Sequence, residues 1–288
     1  MTTLTTESGL VVVDKPAGIT SHDVVSRVRR LAGTRKVGHA GTLDPMATGV
    51  LVLGVNRATR LLGHLLVKDK TYEATIKLGI VTTTDDAEGD VVAQTSTEAV
   101  TEADVRRVLA QMVGEIQQRP SSVSAIKVDG RRAYDRVRAG EDVVLPSRTV
   151  RIDAIDITRC DLPEIDVAVA CSSGTYIRAI ARDLGEELGV GGHLTALRRT
   201  AVGSYDLGFA RTLEELAEDF ALVPLAVAAR AAFPALDLDE EQAADVRVGR
   251  RLTIQLPAAG PVALFDGDEF LALYEQRGDV AAAVAVFV

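Results

Sequence analysis

The alternation of apolar and polar residues along the chain predicts most of its strands. Between Thr71 and Leu78 every second residue is apolar, which is the period of a strand with one buried face. Runs rich in β-branched and other apolar residues predict further strands at residues 9–13, 47–55, 149–158, 165–170 and 194–204.

Helical spacing of apolar residues predicts helices between these strands. Residues 21–31 place Val24, Val25 and Val28 on one face, with Ser21 as the expected N-cap. Further helices are predicted at residues 57–66, 101–113 and 175–188, the second opening with a capping box and the third ending at Gly189. Strands and helices mixed in this order predict an α+β domain with a largely antiparallel sheet.

The composition changes near residue 231. Residues 236–249 predict a short acidic helix, and residues 262–266, 269–274 and 281–287 predict three short strands separated by Gly/Asp turns. We therefore expect two domains, a large one at 1–230 and a small β-rich one at 231–288.

Length and composition exclude several classes of protein. With 288 residues and 47% hydrophobic content the chain can bury a substantial core, yet no apolar run reaches the roughly 20 residues that span a bilayer. The polar N-terminus shows no secretory signal, and Cys160 and Cys171 are the only cysteines, so reduced thiols and a cytoplasmic location are expected. Four scattered histidines give no zinc-ligand spacing, so no metal site is expected, and no interface stripe is visible, so we expect a monomer.

The net charge of −9 argues against nucleic-acid binding, but its distribution answers that objection. Residues 201–288 carry the whole excess, with 6 basic and 15 acidic side chains. Residues 1–62 and 119–151 each hold 8 basic and 4 acidic side chains. Such blocks are either solvated faces or sites for phosphate.

A glycine-rich loop at residues 38–49 presents Asp44, which is followed directly by Pro45. Pro45 biases Asp44 towards an extended or turn conformation, and the nearby glycines allow a ligand to approach the backbone closely. The local chemistry leaves two interpretations open. Asp44 is either a carboxylate displayed to a substrate, or a helix N-cap or Asx-turn residue.

This loop, Gly-His-Ala-Gly-Thr-Leu-Asp-Pro, resembles the signature of the TruB family of tRNA pseudouridine synthases, which isomerise uridine 55 in the T-loop. Other blocks match the family's motifs in the family's order over roughly residues 9–205. They are Val13–Ser21, Lys70–Tyr72, Ser124–Tyr134, Cys171–Arg178 and Leu197–Arg199. The resemblance implies a central mixed sheet flanked by helices with an active-site cleft across it, followed by a small PUA or PUA-like RNA-binding domain.

The resemblance implies that Asp44 is the essential catalytic residue, acting as nucleophile or as the base that starts glycosidic cleavage. Arg178 would pair with Asp44, and Tyr72 would stack on the uracil and accept its C5 proton. Without the resemblance, core packing is the favoured interpretation of Tyr72, and an ordinary surface position on a helix is the favoured interpretation of Arg178.

Five further residues are expected to contact or support the substrate: Lys15, His39, Asp86, Tyr176 and Leu197. Lys15 would support the loop near Asp44 or touch phosphate, and His39 would contact the target loop or bond within its own turn. Asp86 matches a family acid that hydrogen-bonds the flipped nucleotide, with Asp85 as an adjacent competitor. Tyr176 and Leu197 would line the pocket, and each is also readable as core.

The expected partner is the T-arm of tRNA, and no cofactor is expected, because isomerisation needs neither redox equivalents nor an energy source. Four arginines, at spacings that fit a basic stripe on a short helix around Tyr134, are predicted to contact the RNA backbone: Arg131, Arg132, Arg136 and Arg138. Two other functions stay open, namely a tRNA-binding or folding factor, and a glycoside-type hydrolase that pairs Asp44 with Asp86.

Overall fold

Alternating β-branched residues and capped helices account for the elements seen in the computed structural model, which describes residues 6–121, 127–128, 131–132 and 145–288. The helices described are α1 Ser21–Leu31, α2 Leu62–Leu66, α3 Glu102–Gln111, α4 Ile177–Glu187, α5 Leu213–Glu218, α6 Leu225–Ala232 and α7 Glu240–Arg247. A 3-10 helix at Asn56–Leu61 precedes α2.

The strands described are β1 Gly9–Lys15, β2 Val37–His39, β3 Thr48–Val55, β4 Lys70–Leu78, β5 Ile80–Thr82, β6 Val91–Gln94, β7 Gly114–Gln118, β8 Lys127–Val128 and β9 Arg131–Arg132. They continue with β10 Arg148–Asp161, β11 Glu164–Cys171, β12 Gly192–Val202, β13 Tyr205–Asp206, β14 Val223–Pro224, β15 Ala235–Asp237, β16 Val262–Asp266, β17 Glu269–Arg277 and β18 Val280–Val286.

The chain groups into two compact units. The first comprises residues 1–45, 49–66 and 202–288, and the second comprises 46–48 and 67–201. No helix in the described part of the chain is long and apolar enough to cross a membrane.

The second unit is built on strands in the order β12-β4-β11-β10-β7. Strand β4 buries Tyr72 and its apolar partners on one face, as its alternating sequence predicts, and Tyr72 lies opposite Val169 of β11. Helix α4 packs on β4 and α3 packs on α4, so the helices cover this face. The capping box predicted for α3 is present, with Thr101 and Asp104 bonding each other's backbone.

In the first unit β1 lies between β14 and β3, and β2 pairs with the other edge of β3. The C-terminal strands form a separate sheet in the order β15-β16-β17-β18, in which β15 pairs with β16 in parallel. One side of that sheet packs Phe265, Phe270 and Phe287 into a core shared with Leu10 and Val52. The other side forms a second core with α7.

The α+β class with a central mixed sheet and a small β-rich C-terminal sheet is confirmed. Three local predictions need correction. Residues 57–66 begin as a 3-10 helix, and residues 235–237 form a strand before α7 begins at Glu240. The N-cap of α1 is Thr20 rather than Ser21, because Thr20 and Asp23 form a reciprocal capping box. The domain boundary at residue 230 stays a prediction.

Candidate active site

Asp44 lies in the segment between β2 and β3, and the residues on both sides of it are fixed. The buried hydroxyl of Ser21 donates to the Leu43 carbonyl at 3.0 Å and accepts from the Leu43 amide at 2.9 Å. The Pro45 carbonyl accepts from the Gly18 amide at 2.8 Å. No helix begins after Asp44, so its interpretation as a helix N-cap is wrong. The loop instead holds a carboxylate between two anchored neighbours.

Lys15 supports the same loop through a hydrogen bond to the backbone of Pro45. Its side chain has no exposed surface, and Nζ donates to the carbonyls of Pro16 at 2.9 Å, Ile19 at 2.8 Å and Pro45 at 3.2 Å. A buried ammonium needs such acceptors, because its charge has lost the solvation of water. Of the two roles expected for Lys15, loop support is the one that this geometry provides, and phosphate contact stays a prediction.

His39 ends β2 and is half-buried. Its ring meets the ring of His22 edge to face, with centroids 5.6 Å apart and planes at 82°. Whether His39 contacts RNA stays a prediction.

Tyr72 lies on the covered face of β4 with 7% of its surface exposed. Lys70, two positions earlier on the same face, is also buried and donates to the Lys68 carbonyl at 2.6 Å. Burial, with a contribution from the positive charge of Arg199, lowers the pKa of Lys70 to about 8. Opposite Lys70 in the sheet, burial raises the pKa of the Cys171 thiol to about 11. The strand around Tyr72 is therefore a desolvated environment.

The side chain of Arg178, on α4, forms a buried ion pair with Asp86. Nη1 of Arg178 is 3.2 Å from Oδ2 of Asp86, each side chain is 4% exposed, and the same nitrogen donates to the Thr84 carbonyl at 2.9 Å. Oδ1 of Asp86 accepts from the Thr84 hydroxyl and from the Glu88 amide, the latter at 3.0 Å. Sequence reasoning paired Arg178 with Asp44 and left its contact with Asp86 unforeseen. The pairing with Asp44 stays a prediction.

A second arginine on α4 repeats this arrangement one turn later. Nη1 of Arg182 is 3.2 Å from Oδ2 of Asp85, with side chains 10% and 14% exposed. The motifs in the sequence do not indicate a functional role for Arg182. The available signals were its spacing of four residues from Arg178 and the position of Asp85 beside Asp86.

Tyr176 occupies the N-cap position of α4. The buried side-chain amide of Gln118 binds both backbone groups of Tyr176, accepting from its N–H at 2.8 Å and donating to its carbonyl at 3.0 Å. The Arg148 guanidinium lies over the Tyr176 ring, 4.9 Å from its centroid. Leu197 lies in β12 and is 8% exposed. The pocket roles of Tyr176 and Leu197 stay predictions.

The predicted basic stripe falls largely outside the described residues. Arg131 and Arg132 form strand β9, paired with β8, which corrects the helix expected for them. Arg136 and Arg138 lie outside the described residues, and RNA contact by the four arginines stays a prediction.

A basic groove of about 520 Å³ lies in the first unit, within the N-terminal block of positive charge. Three cationic side chains line it, Lys36, Arg57 and Arg60, together with Asn56 and hydroxyls from Thr6, Ser8, Thr34 and Thr59. None of its lining residues is acidic. Arg60 donates to the carbonyl of Val286, the last residue of β18, at 2.6 Å, and Arg57 donates to the carbonyl of the next residue, Phe287, at 2.9 Å. Guanidinium groups carry five donors, so further donors remain for a phosphate.

Three family models match the sequence of this chain. Residues 29–177 match the model of the TruB family pseudouridylate synthase N-terminal domain. Residues 178–225 match the tRNA pseudouridylate synthase B C-terminal domain, and 233–288 match the tRNA pseudouridine synthase II C-terminal model. The chain belongs to the TruB family.

Relatives are similar over nearly their whole length. A protein of Arthrobacter sp. (strain FB24) described as tRNA pseudouridine synthase B is 57% identical, covering 97% of this chain and 96% of its own. One of Thermobifida fusca (strain YX) with the same description is 55% identical, covering 97% and 98%. Among solved structures, a chain of a Cbf5-Nop10-Gar1 complex superposes with a TM-score of 0.76 at 26% identity, covering 97% of this chain and 85% of that one. These matches confirm the predicted family.

Proposed function

We propose that this TruB-family protein converts uridine 55 in the T-loop of tRNA to pseudouridine. The observation that carries the proposal is the match of family models at residues 29–225 and 233–288, with Asp44 intact on an anchored loop inside the matched region. We also propose that the enzyme is cytoplasmic and monomeric and that it needs no cofactor.

The reaction breaks the N1–C1′ bond of uridine, turns the uracil and joins its C5 to C1′. The proton on C5 leaves for water and N1 takes one in exchange, so no electrons are gained or lost. Such chemistry needs a nucleophile or base, a proton acceptor at C5 and a pocket that keeps the detached base from escaping.

Asp44 supplies the carboxylate that starts glycosidic cleavage, either by attack or as a base. Its anchored neighbours Leu43 and Pro45 keep that carboxylate from drifting, which preserves the orientation on which rate depends. Tyr72 stacks on the uracil in the desolvated environment of β4, and its hydroxyl accepts the C5 proton as it passes its own proton on to water. Arg178 supplies positive charge beside the reacting groups, and Asp86 holds the guanidinium in place.

The target uridine is stacked in a folded loop, so it must be flipped out before it can react. Unstacking costs a few kcal/mol, which contacts within the pocket recover. We expect the tRNA to be recognised by the shape of its loop and by its phosphates. The basic groove around Lys36 supports this expectation, because it offers cations and hydroxyls without a competing carboxylate.

The structure offers less support for a tRNA-folding factor or a hydrolase. A tRNA-folding factor needs no intact set of Asp44, Tyr72 and Arg178, although flipping and refolding of the T-loop can aid tRNA folding at the same time. A hydrolase would use Asp86 as its acid, but both oxygens of Asp86 already accept from protein donors.

One assay separates the three functions. Unmodified tRNA carrying tritium at uridine C5 is incubated with the protein, and tritium in water, free uracil and tRNA binding are each measured. Tritium release by the native protein that is lost in Asp44→Asn, with binding retained, is the result expected. Binding without release would favour the folding factor, and free uracil would favour the hydrolase.

A further inference from the structure

Arg182 connects three segments of the second unit. Its guanidinium donates to Oδ2 of Asp85 at 3.2 Å, to the carbonyl of Arg119 at 2.7 Å and to Oδ1 of Asp183 at 2.7 Å. Asp85 belongs to the loop between β5 and β6, Arg119 directly follows β7, and Asp183 lies on α4 itself. The side chain is only 10% exposed, so these contacts replace most of its hydration.

The loop that Arg182 holds has an unusual backbone. Asp85 has φ of +60°, a left-handed conformation that L-residues other than Gly, Asn and Asp rarely adopt. Both the backbone and the side chain of Asp85 are held by hydrogen bonds. Its carbonyl accepts from the Leu194 amide at 3.0 Å, and its carboxylate binds Arg182. In this conformation the two adjacent carboxylates meet successive turns of α4, Asp85 at Arg182 and Asp86 at Arg178.

We propose that Arg182 and Asp85 are positioning residues for the reaction. Their ion pair holds the left-handed turn that presents Asp86 to Arg178, and Arg178 then stands in the orientation that isomerisation needs. This inference rests on the proposed function, since it assumes that Arg178 acts in the active site. The Arg182–Asp85 pair affects the reaction only by holding the Arg178–Asp86 pair in place.

Asp85→Asn removes the charge of the pair and little else, because Asn has the shape of Asp and tolerates the same left-handed backbone. We expect it to lower the single-turnover rate of pseudouridine formation about tenfold, as a small misplacement of a reacting group does. The KM for tRNA should stay within about twofold, since tRNA affinity is dominated by phosphate contacts made elsewhere.

A double-mutant cycle with Asp86→Asn separates positioning from simple structural support. Where Asp86 can no longer hold Arg178, Asp85→Asn should reduce the remaining rate by less than about twofold, because coupled residues are non-additive. An equal loss in both backgrounds, or an unchanged rate in the single variant, would overturn the inference. All rates are compared at a temperature at which circular dichroism shows each variant folded.

Asp183→Asn is the matched control, since Asp183 also binds Arg182 but lies on the same helix and does not hold the loop. Its single-turnover rate should stay within about twofold of the native rate. Arg182→Lys is a second test that keeps the charge but loses the planar fork, and it should lose rate in the same Asp86-dependent way. A native protein that releases no tritium at all would refute the proposed function, whereas an active protein with additive effects would refute only this inference.

Discussion

The guanidinium of Arg178 and the carboxylate of Asp86 form an ion pair at 3.2 Å in which each side chain is 4% exposed. Two charges held this far from water are stable only as a pair with further hydrogen bonds, which Thr84 and Glu88 provide. Removing either partner therefore takes a buried counter-charge from the other.

Asp86→Asn should both destabilise the fold and slow the reaction. Loss of the negative charge breaks a buried ion pair of Arg178, a change that typically costs about 3–5 kcal/mol in the free energy of unfolding. Urea unfolding and single-turnover kinetics measure the two effects. The control is Glu102→Gln, which breaks an exposed helical pair with Arg106 and should cost no more than about 0.5 kcal/mol with an unchanged rate. An equal loss in the free energy of unfolding for the two variants would contradict the claim that burial makes the Arg178–Asp86 pair the more important one.

Ser21→Ala should loosen the loop that carries Asp44. The variant leaves the buried Leu43 amide without its acceptor, which costs about 1–3 kcal/mol, and the single-turnover rate should fall about tenfold as Asp44 loses its fixed orientation. Thr20→Ala is the control. It removes the N-cap of α1 at a cost of about 1 kcal/mol but makes no bond to the loop, so its rate should stay native. A native rate in Ser21→Ala would show that the anchor is dispensable.

Lys36→Gln should weaken tRNA binding and reduce its dependence on salt. If Lys36 neutralises one phosphate, the slope of log K against log salt concentration should become shallower by about 1. Filter binding at several salt concentrations measures that slope. Lys77→Gln removes the same charge from a lysine that faces Glu164 on β11, and its slope should match the native one. A native slope for Lys36→Gln would remove the basic groove from the RNA-binding surface.

Lys70 should make the fold more stable as the pH rises from about 8 to about 10.5. Over that window the unfolded chain holds the lysine proton and the native state does not, so raising the pH favours the native state. We expect a gain on the order of 1–2 kcal/mol relative to Lys70→Met, less than the full shift implies because nearby water and relaxation reduce the cost. Urea unfolding of both proteins at pH 8 and pH 10.5 measures the difference. A parallel pH response in the two proteins would contradict the assigned burial effect.

Elements that depend on short-range patterns were predictable from the sequence. The alternation at Thr71–Leu78 and the capping box at Thr101 and Asp104 both use residues within a few positions of each other, and both are present. Contacts between distant residues left no such sign. The hydroxyl of Ser21 bonds the backbone of Leu43, 22 positions away. The N-cap of α1 that the sequence predicts for Ser21 is formed instead by Thr20, together with Asp23.

The C-terminal module shows how tertiary pairing overrides a helical pattern. The sequence pattern predicts that a helix begins at Leu236, but Leu236 lies in a strand and pairs in parallel with Leu264 of β16. The helix begins only at Glu240, after the capping box that Asp239 forms with Gln242. The partner of Arg178 was missed for a related reason. Its carboxylate comes from a loop 92 positions earlier, and local spacing does not indicate which of several acids it meets.

The most direct test maps the product within the RNA. An unmodified tRNA transcript is incubated with the native protein, and pseudouridine is located by chemical labelling and primer extension. The proposed function predicts modification at uridine 55 alone, and none with Asp44→Asn or with a transcript that carries cytidine at that position. Pseudouridine at other positions with uridine 55 untouched, or full modification by Asp44→Asn, would contradict it.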